Sequence, residues 1–310
     1  MTNFPWILVE DYKLPVGWVR REQREARARA YCELLESGQI LFFRDLPFHL
    51  PSDDRDFLLA QEWAELRLHK NVSYRPAEDL LRGVTGNPQT IERVHSILRN
   101  YSAQVIEFLT KFLFPYAGKW ILDFASFRPF EEERRSLPVH KRNDLLHVDA
   151  FPSRPTRGGR ILRVFTNLNP AKPRVWQTTE GFEVLAKQHA VNAGLQQIAE
   201  SDGFLSRTVQ DWGAKLGFSS FGRTPYDMFM LRFHDYLKEN RAFQANCPKI
   251  QLEFPPLATW IVFTDSVAHA VMSGQYAIEQ TVLVRREALV APRVAPYRIL
   301  ETLAGRPLTE

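Results

Sequence analysis

Apolar residues in the first third of the chain recur at helical spacing. Residues 20–37 are rich in helix formers and end at a glycine, before the apolar run 40–43. Asn87 and Pro88 are a typical cap and first turn. The apolar positions that follow them are Val94, Ile97, Leu98, Tyr101, Val105, Phe108, Leu109 and Phe112. The patterns predict a helix followed by a strand, then a long helix that packs on a sheet and ends at Pro115.

From Trp120 onward, short apolar or alternating runs are separated by Pro, Gly and Asn. The runs are WILDFASF, DLLHVDAF, RILRVFTNLN, TWIVFTD and AIEQTVLVR. They predict strands of an antiparallel barrel or jelly roll, with a helical insertion at about 180–245. We therefore expect an α+β protein with a mainly helical portion over 1–119 and a jelly-roll core over 120–290. No linker is long enough to divide the chain, which predicts a single domain over 1–310.

Composition narrows the class of protein. The chain has 310 residues, of which 45% are hydrophobic, enough for a sizeable core. Its net charge of +4 comes without dense basic runs, so we expect no nucleic-acid partner. Cys32 and Cys247 form no disulfide or zinc-binding pattern, which favours a reducing cytoplasmic compartment. We expect no secretion signal and no membrane span, because the N-terminal residues and the apolar runs fit neither.

The candidate chemistry lies in one H-x-D pair and one distal histidine. His147 and Asp149 are two residues apart, so on a strand both side chains point to the same face. The pair alone is a weak signal, but His269 follows another apolar run far downstream. Two histidines and one carboxylate are the ligands of non-haem Fe(II) oxygenases, which leave positions open for a keto acid and O2. Zinc sites more often use thiolates or an HExxH helix, and the sequence has neither pattern.

Other residues of ligand type have weaker support. Asp265 lies four residues before His269 and is the reserve carboxylate if Asp149 proves structural. His234 lies in a predicted helix, where a lone histidine is more often a packing or surface residue. His140 is followed by two basic residues, whose charge disfavours binding of a metal cation there. His95 and His189 have no other ligand-type residue at a suitable spacing.

The order of strand, H-x-D, basic strand and distal histidine is similar to that of the double-stranded β-helix dioxygenases, which have a cupin-like core. The phrases NDLLHVDAFPSRPT, GGRILRVFTNLNP and FTDSVAHAVMSGQY resemble the Kdo hydroxylases in particular. The resemblance implies an Fe(II)- and 2-oxoglutarate-dependent dioxygenase that uses O2, with ascorbate as a candidate reductant. Its substrate would be Kdo, the acidic sugar of the lipopolysaccharide inner core, hydroxylated at C3 to Ko. His147, Asp149 and His269 would be the iron ligands.

The far carboxylate of 2-oxoglutarate needs a fixed cation, and arginine offers a two-pronged donor. Many relatives place this arginine about ten residues past the distal histidine, where this chain has Glu-Gln-Thr at 279–281. In Jumonji-like relatives the cation lies on the strand after H-x-D, which makes Arg163 the matching candidate. Arg160 and Arg285 are alternates, although an ordinary strand-end charge is the favoured interpretation of each, and Gln280 is a further candidate contact.

An acidic sugar attached to a phosphorylated lipid also needs cations around the mouth of the site. The candidates are Arg128, Lys141, Arg142, Arg154 and Arg157. Each is equally well explained as a solvated surface charge. Trp176 and Phe151 are candidates for stacking on a sugar face, although aromatic residues in a barrel are more often core.

If Kdo-lipid A is the substrate, the protein would meet it peripherally at the cytosolic face of the inner membrane. A homo-oligomer is compatible with the sequence, which does not determine the oligomeric state. Three alternatives stay open. They are a dioxygenase acting on another small-molecule or protein target, a non-catalytic sugar- or metal-binding barrel, and a zinc hydrolase on the same residues.

Overall fold

The computed structural model describes residues 5–13, 20–61, 63, 71–132, 137–200 and 223–309. The strands are β1 (Trp6–Leu8), β2 (Ile40–Phe43), β3 (Val72–Arg75), β4 (Leu80–Arg82), β5 (Trp120–Arg128), β6 (Arg160–Asn167), β7 (Arg174–Thr178), β8 (Ile250–Phe254), β9 (Thr259–Phe263), β10 (His269–Ser273) and β11 (Ala277–Val284). The helices are α1 (Arg21–Glu36), α2 (Ser52–Ala60), α3 (Pro88–Phe112), α4 (Phe182–His189), α5 (Leu195–Glu200), α6 (Pro225–Glu239), α7 (Arg241–Asn246) and α8 (Pro296–Ala304). Among these described residues, no helix is both long and apolar enough to cross a membrane.

Two sheets form the core of the fold. The larger has the strand order β1-β2-β9-β6-β11-β5-β3-β4, and the smaller has the order β10-β7-β8. Their strand pairs are antiparallel except for β1 with β2. Buried aromatic side chains from both sheets, including Phe165, Trp260, Trp176 and Phe254, share one apolar cluster. The two sheets therefore pack face to face as in a jelly roll, and the predicted α+β class is confirmed.

The other face of the large sheet is covered by the N-terminal helices. Leu162 and Val164 of β6 pack in one cluster with Leu35 of α1 and with Ile97 and Leu98 of α3. β1 and β2 extend the large sheet at one edge, and β3 and β4 extend it at the other. The N-terminal portion thus shares the sheet of the core, and our single-domain division remains a prediction.

Several sequence patterns predicted their elements well. α1 and β2 lie where the helix and strand were expected, and β5, β6, β9 and β11 match their apolar runs. Asn87 caps α3, because its side chain accepts a hydrogen bond from the backbone N–H of Gln89 at 2.8 Å. α3 ends at Phe112, and a short 3-10 turn follows at Phe114–Tyr116 before β5 begins.

The predicted strand DLLHVDAF is wrong. Residues 144–151 form no ladder, and the segment makes only an isolated bridge between His147 and His269. Besides the two backbone hydrogen bonds of this bridge, the N–H of Asp149 donates to the carbonyl of Thr264, at 2.7 Å. The apolar alternation of Leu146 and Val148 instead buries these side chains against the helices α4 to α8.

The helical insertion is confirmed by α4, α5, α6 and α7, while residues 201–222 of that expectation lie outside the described residues. β7, β8, β10 and α8 were not predicted. Thr224 caps the N-terminus of α6, because its hydroxyl accepts a hydrogen bond from the backbone N–H of Asp227 in a reciprocal capping box. This helical layer covers the H-x-D segment, so it forms one wall of the site described next.

Candidate functional site

The structure brings His147, Asp149 and His269 together. Backbone hydrogen bonds in both directions link the two histidines, from His147 N–H to His269 O at 3.2 Å and from His269 N–H to His147 O at 2.9 Å. One side-chain ligand atom from each of the three residues lies within 4.8 Å of the others. All three residues are buried. These residues, which we call the triad, can hold one metal ion.

The donor atoms of the triad suit a metal. Nδ1 of His147 lies 2.7 Å from the carbonyl of Leu145, and Nδ1 of His269 lies 2.9 Å from that of Val267. A carbonyl only accepts, so each Nδ1 carries the hydrogen and leaves a lone pair on Nε2. Oδ2 of Asp149 is buried and accepts no hydrogen bond from the described residues. The triad therefore offers two imidazole nitrogens and a carboxylate, the set that suits Fe(II) with open positions.

The electrostatic surroundings keep these donors unprotonated. Burial lowers the pKa of His147 well below its ordinary value, and the neighbouring His269 adds to this effect. Burial also lowers the pKa of His269. Burial opposes ionisation of Asp149, but the Arg163 guanidinium holds the pKa of this carboxyl well below its usual range. Neutral imidazoles and an ionised carboxylate are the protonation states that bind a metal.

A row of alternating charges runs from the triad across the inner face of the large sheet. We call it the charged row, and its members are Asp149, Arg163, Glu279, Arg128, Glu132 and Arg174. Nη1 of Arg163 lies 3.4 Å from Oδ2 of Asp149 and 3.8 Å from Oε2 of Glu279. Nε and Nη2 of Arg128 donate to Oε2 and Oε1 of Glu279, at 3.1 and 2.8 Å. Glu279, ten residues past His269, thus binds arginines from the two neighbouring strands.

The far end of the charged row is the most deeply buried. Arg174 is 1% exposed, and its Nη2 lies 3.8 Å from Oε1 of Glu132, which Arg128 also approaches at 3.8 Å. Burial lowers the pKa of Arg174 to about 10. Nη1 of Arg174 donates to the carbonyl of Gly274 at 2.9 Å. A Cβ at Gly274, whose φ is +129°, would lie 2.8 Å from Cγ of Arg174, so only glycine leaves room for this side chain.

Buried donors without partners point to an anionic ligand in this region. Nε of Arg163, Nε of Arg174 and Nε1 of Trp176 are buried and make no hydrogen bond with the described residues. Trp176 stacks on His269, with ring centroids 5.0 Å apart and an interplanar angle of 21°. Unpaired buried donors are costly unless a ligand uses them. A small dicarboxylate such as a keto acid fits this donor set.

Comparisons with known proteins decide the family. The family model for 3-deoxy-D-manno-oct-2-ulosonic acid (Kdo) hydroxylase matches residues 18–307. This chain belongs to the Kdo hydroxylase family. A comparison with curated protein sequences found no significant match.

Solved structures of a Kdo hydroxylase agree with this assignment. A complex of the Kdo hydroxylase KdoO, a non-heme Fe(II) α-ketoglutarate-dependent dioxygenase, with α-ketoglutarate and Fe(III) is 33% identical, with a TM-score of 0.83 over 98% of this chain and 97% of that chain. A KdoO complex with cobalt(II) is 34% identical, with a TM-score of 0.84 over 99% of this chain and 98% of that one. A further KdoO complex holds succinate and Fe(III), at 34% identity and a TM-score of 0.82 over 99% and 98%. These findings confirm the predicted Fe(II)/2-oxoglutarate dioxygenase.

Of the keto-acid candidates in this family member, Arg163 alone lies in the charged row. Arg160 lies three residues earlier on β6, so it faces the other side of the sheet. It is fully buried there, with its Nε 2.9 Å from Oδ2 of Asp265. Arg160 is therefore a structural partner of the loop that leads to His269. Asp265, the reserve carboxylate, is not one of the three residues whose ligand atoms cluster in the triad.

The structure places two further keto-acid candidates away from the charged row. Gln280 faces the helical side of β11, because strand residues alternate and its neighbour Glu279 faces the charged row. Its amide donates to the carbonyls of Asp123 and Thr281, at 2.8 and 2.7 Å. The side chain of Arg285 is 55% exposed beyond the end of β11 and lies 4.0 Å from Glu287. Neither side chain contacts the triad.

The substrate candidates are divided between the interior and the surface. Arg128 is an interior member of the charged row, and Trp176 is buried against His269. Lys141 and Arg157 are exposed, and Arg142 is bound to Asp144, with Nε 2.9 Å from Oδ1.

Arg154 pairs with Asp123 and lies over the rings of Phe151 and Phe124, each 4.2 Å from its guanidinium. Phe151 is thus engaged by Arg154. Sugar contacts by the predicted surface cations, and by Trp176, remain predictions.

Sequence reasoning gave no role in the site to three residues: Arg174, at the far end of the charged row, and His234 and Lys238, on the helix beside the triad. Arg174 could have been found, because it lies two residues before Trp176 on β7, so both side chains point to the same buried face. His234 and Lys238 lie four residues apart on α6, and the ring of His234 is 4.9 Å from that of His147, centroid to centroid. Their helix was predicted, but its contact with the H-x-D segment depends on the tertiary fold.

Proposed function

We propose that this protein hydroxylates C3 of Kdo in Kdo-lipid A, in the lipopolysaccharide inner core, to give Ko. The observation that carries the proposal is the buried triad of two histidines and one carboxylate in a chain of the Kdo hydroxylase family. His147, Asp149 and His269 would hold Fe(II). Bound iron with 2-oxoglutarate and O2 supplies the oxidising power, and the keto acid leaves as succinate and CO2.

The protein contributes positioning. Arg163, together with Arg174, would bind the far carboxylate of 2-oxoglutarate, because each has a buried Nε–H without a partner among the described residues and the keto acid is an anion. Arg128, which is held by Glu279, would add positive charge to the same region. Asp149, Glu132 and Glu279 fix the arginines in place through ion pairs. Packing of Trp176 on His269 would exclude water from this side of the metal position.

The surroundings of the reaction are also part of the proposal. Lys141, Arg142, Arg154 and Arg157 would form a cationic rim for the sugar and the lipid phosphates. Contact with the cytosolic face of the inner membrane would be peripheral and would occur through the substrate. Ascorbate would serve as a reductant, and self-association stays open to measurement by light scattering.

The test is mass spectrometry of Kdo-lipid A after incubation with iron-loaded protein, 2-oxoglutarate and air. We expect one added oxygen on the Kdo unit and one succinate for each modified sugar. Succinate without modified sugar would keep the chemistry and discard the substrate. Product formation without O2 would favour a hydrolase, and the absence of both products would favour a binding barrel.

A further inference from the structure

α6 lays one face against the triad. Met230, His234 and Lys238 are spaced by four residues, so they share one side of the helix. Met230 lines a small cavity together with Asp149, and the ring of His234 meets that of His147 edge to face, at an interplanar angle of 80°. This helix face therefore borders the metal position without belonging to the charged row.

His234 presents a hydrogen-bond acceptor. Its Nδ1 lies 2.7 Å from the carbonyl of Val148, so Nδ1 carries the hydrogen. In the neutral ring, Nε2 then has a free lone pair, and none of the described residues donates to it. His234 is only partly buried, in contrast to His147 and His269. A hydroxyl group of a bound ligand can donate to this nitrogen.

Lys238 is a buried cation with little to neutralise it. Lys238 is 5% exposed, and its Nζ donates to the carbonyl of His140 at 3.2 Å. Within the described part of the chain, no carboxylate lies within 4.0 Å of Nζ, whereas each arginine of the charged row has one. Burial lowers the pKa of Lys238, and the more distant charges of Asp149, Asp235 and Asp144 oppose this effect. Such an ammonium gains from an anionic ligand.

We propose that this face of α6 binds the acidic sugar, with Lys238 binding its carboxylate and His234 accepting a hydrogen bond from one of its hydroxyls. The inference rests on the proposed function. The charged row already offers cations to the keto acid, so Lys238 is left for a second anion. An acidic sugar carries one carboxylate and several hydroxyls, which match the two groups that α6 presents.

The test of Lys238 combines a variant with a change in the substrate. Lys238→Gln is assayed with Kdo-lipid A and with its Kdo carboxyl methyl ester, and Lys187→Gln, on the exposed face of α4, is the matched control. The unchanged protein and the control should prefer the acid over the ester at least about tenfold in kcat/KM, since a buried charge pair contributes that much. In Lys238→Gln the preference should fall to about one, while the KM for 2-oxoglutarate stays the same.

Two results would overturn the role of Lys238: an unchanged preference for the acid, or a raised KM for 2-oxoglutarate in place of the sugar effect. If Lys238→Gln does not fold, Lys238→Met keeps the apolar stem and gives the same comparison. If the unchanged protein oxidises no Kdo while forming succinate, the proposed function itself has failed, which is a different outcome.

The test of His234 is the ratio of hydroxylated sugar to succinate. His234→Ala should lower this ratio severalfold, because the sugar is less well oriented, and His234→Gln should restore part of it by supplying another acceptor. Cobalt(II) affinity, measured by titration calorimetry, should stay unchanged because His234 is outside the triad. An unchanged ratio in His234→Ala would refute this role, and a loss of cobalt binding would show that His234 acts through the metal.

Discussion

The two faces of the large sheet are both buried, yet they differ in chemistry. On β6, Leu162 and Val164 face the N-terminal helices and belong to the apolar cluster there, while Arg163 between them faces Asp149 of the triad and Glu279. On β11, Ile278 faces the helices and Glu279 faces the charged row. Alternation along one strand therefore separates residues that stabilise the fold from residues that serve the site.

On the face of the large sheet that carries the charged row, loss of a triad residue should have the largest effect on activity. His147→Ala removes one imidazole ligand, so we expect kcat/KM to fall at least about 10³-fold, because the metal contribution is lost. Cobalt(II) binding, followed by titration calorimetry, should be lost as well. Circular dichroism should show the fold retained. Activity within tenfold of the unchanged protein would mean that the metal is held elsewhere.

Arg163→Gln should act on the keto acid. Removing one partner of a buried charge pair costs about 2–5 kcal/mol, so kcat/KM for 2-oxoglutarate should fall roughly 30-fold or more. Arg285→Gln, which removes an exposed arginine just beyond the neighbouring strand, is the matched control and should leave kinetics unchanged. If both variants keep the original KM for 2-oxoglutarate, Arg163 does not bind the keto acid.

Leu162→Ala tests the opposite face at the adjacent position. Because Leu162 is fully buried in the apolar cluster, its truncation should lower the free energy of unfolding by about 2–5 kcal/mol. The KM for 2-oxoglutarate should not change below the unfolding temperature. Urea denaturation and steady-state kinetics measure the two quantities. A large change in KM with unchanged stability would contradict the division between the faces.

The two triad histidines should make the stability of the metal-free protein depend on pH. Burial lowers the pKa values of His147 and His269 in the folded protein, below about 6.5 in the unfolded chain. Below pH 6.5 the unfolded chain takes up protons that the folded protein excludes. The free energy of unfolding therefore decreases as the pH is lowered. A histidine that stays neutral in the folded protein throughout this range contributes a loss of about 1 kcal/mol between pH 6.5 and 5.5.

Urea denaturation with a chelator present measures this dependence. The double variant His147→Ala with His269→Ala should have a shallower pH slope, and Leu162→Ala should keep the original slope. A stability that rises as the pH falls would show that the histidines are protonated in the folded protein.

Much of the fold and the triad could be predicted from the sequence, because local rules govern them. The cap at Asn87 and the spacing in α3 depend on neighbours in sequence, and the H-x-D phrase identified His147 and Asp149. The orientation of Arg160, Gln280 and Arg285 could not be predicted, because it depends on which face of each strand meets the site. The approach of Lys238 to the triad depends on how α6 packs.

Gly274 gives the charged row a simple marker in sequence. Because a side chain at this position would collide with Arg174, a relative that carries any other residue there must hold its buried guanidinium elsewhere or lack it. Reading this one position, together with Arg174, should sort related chains by whether they keep the deep cation before any of them is purified.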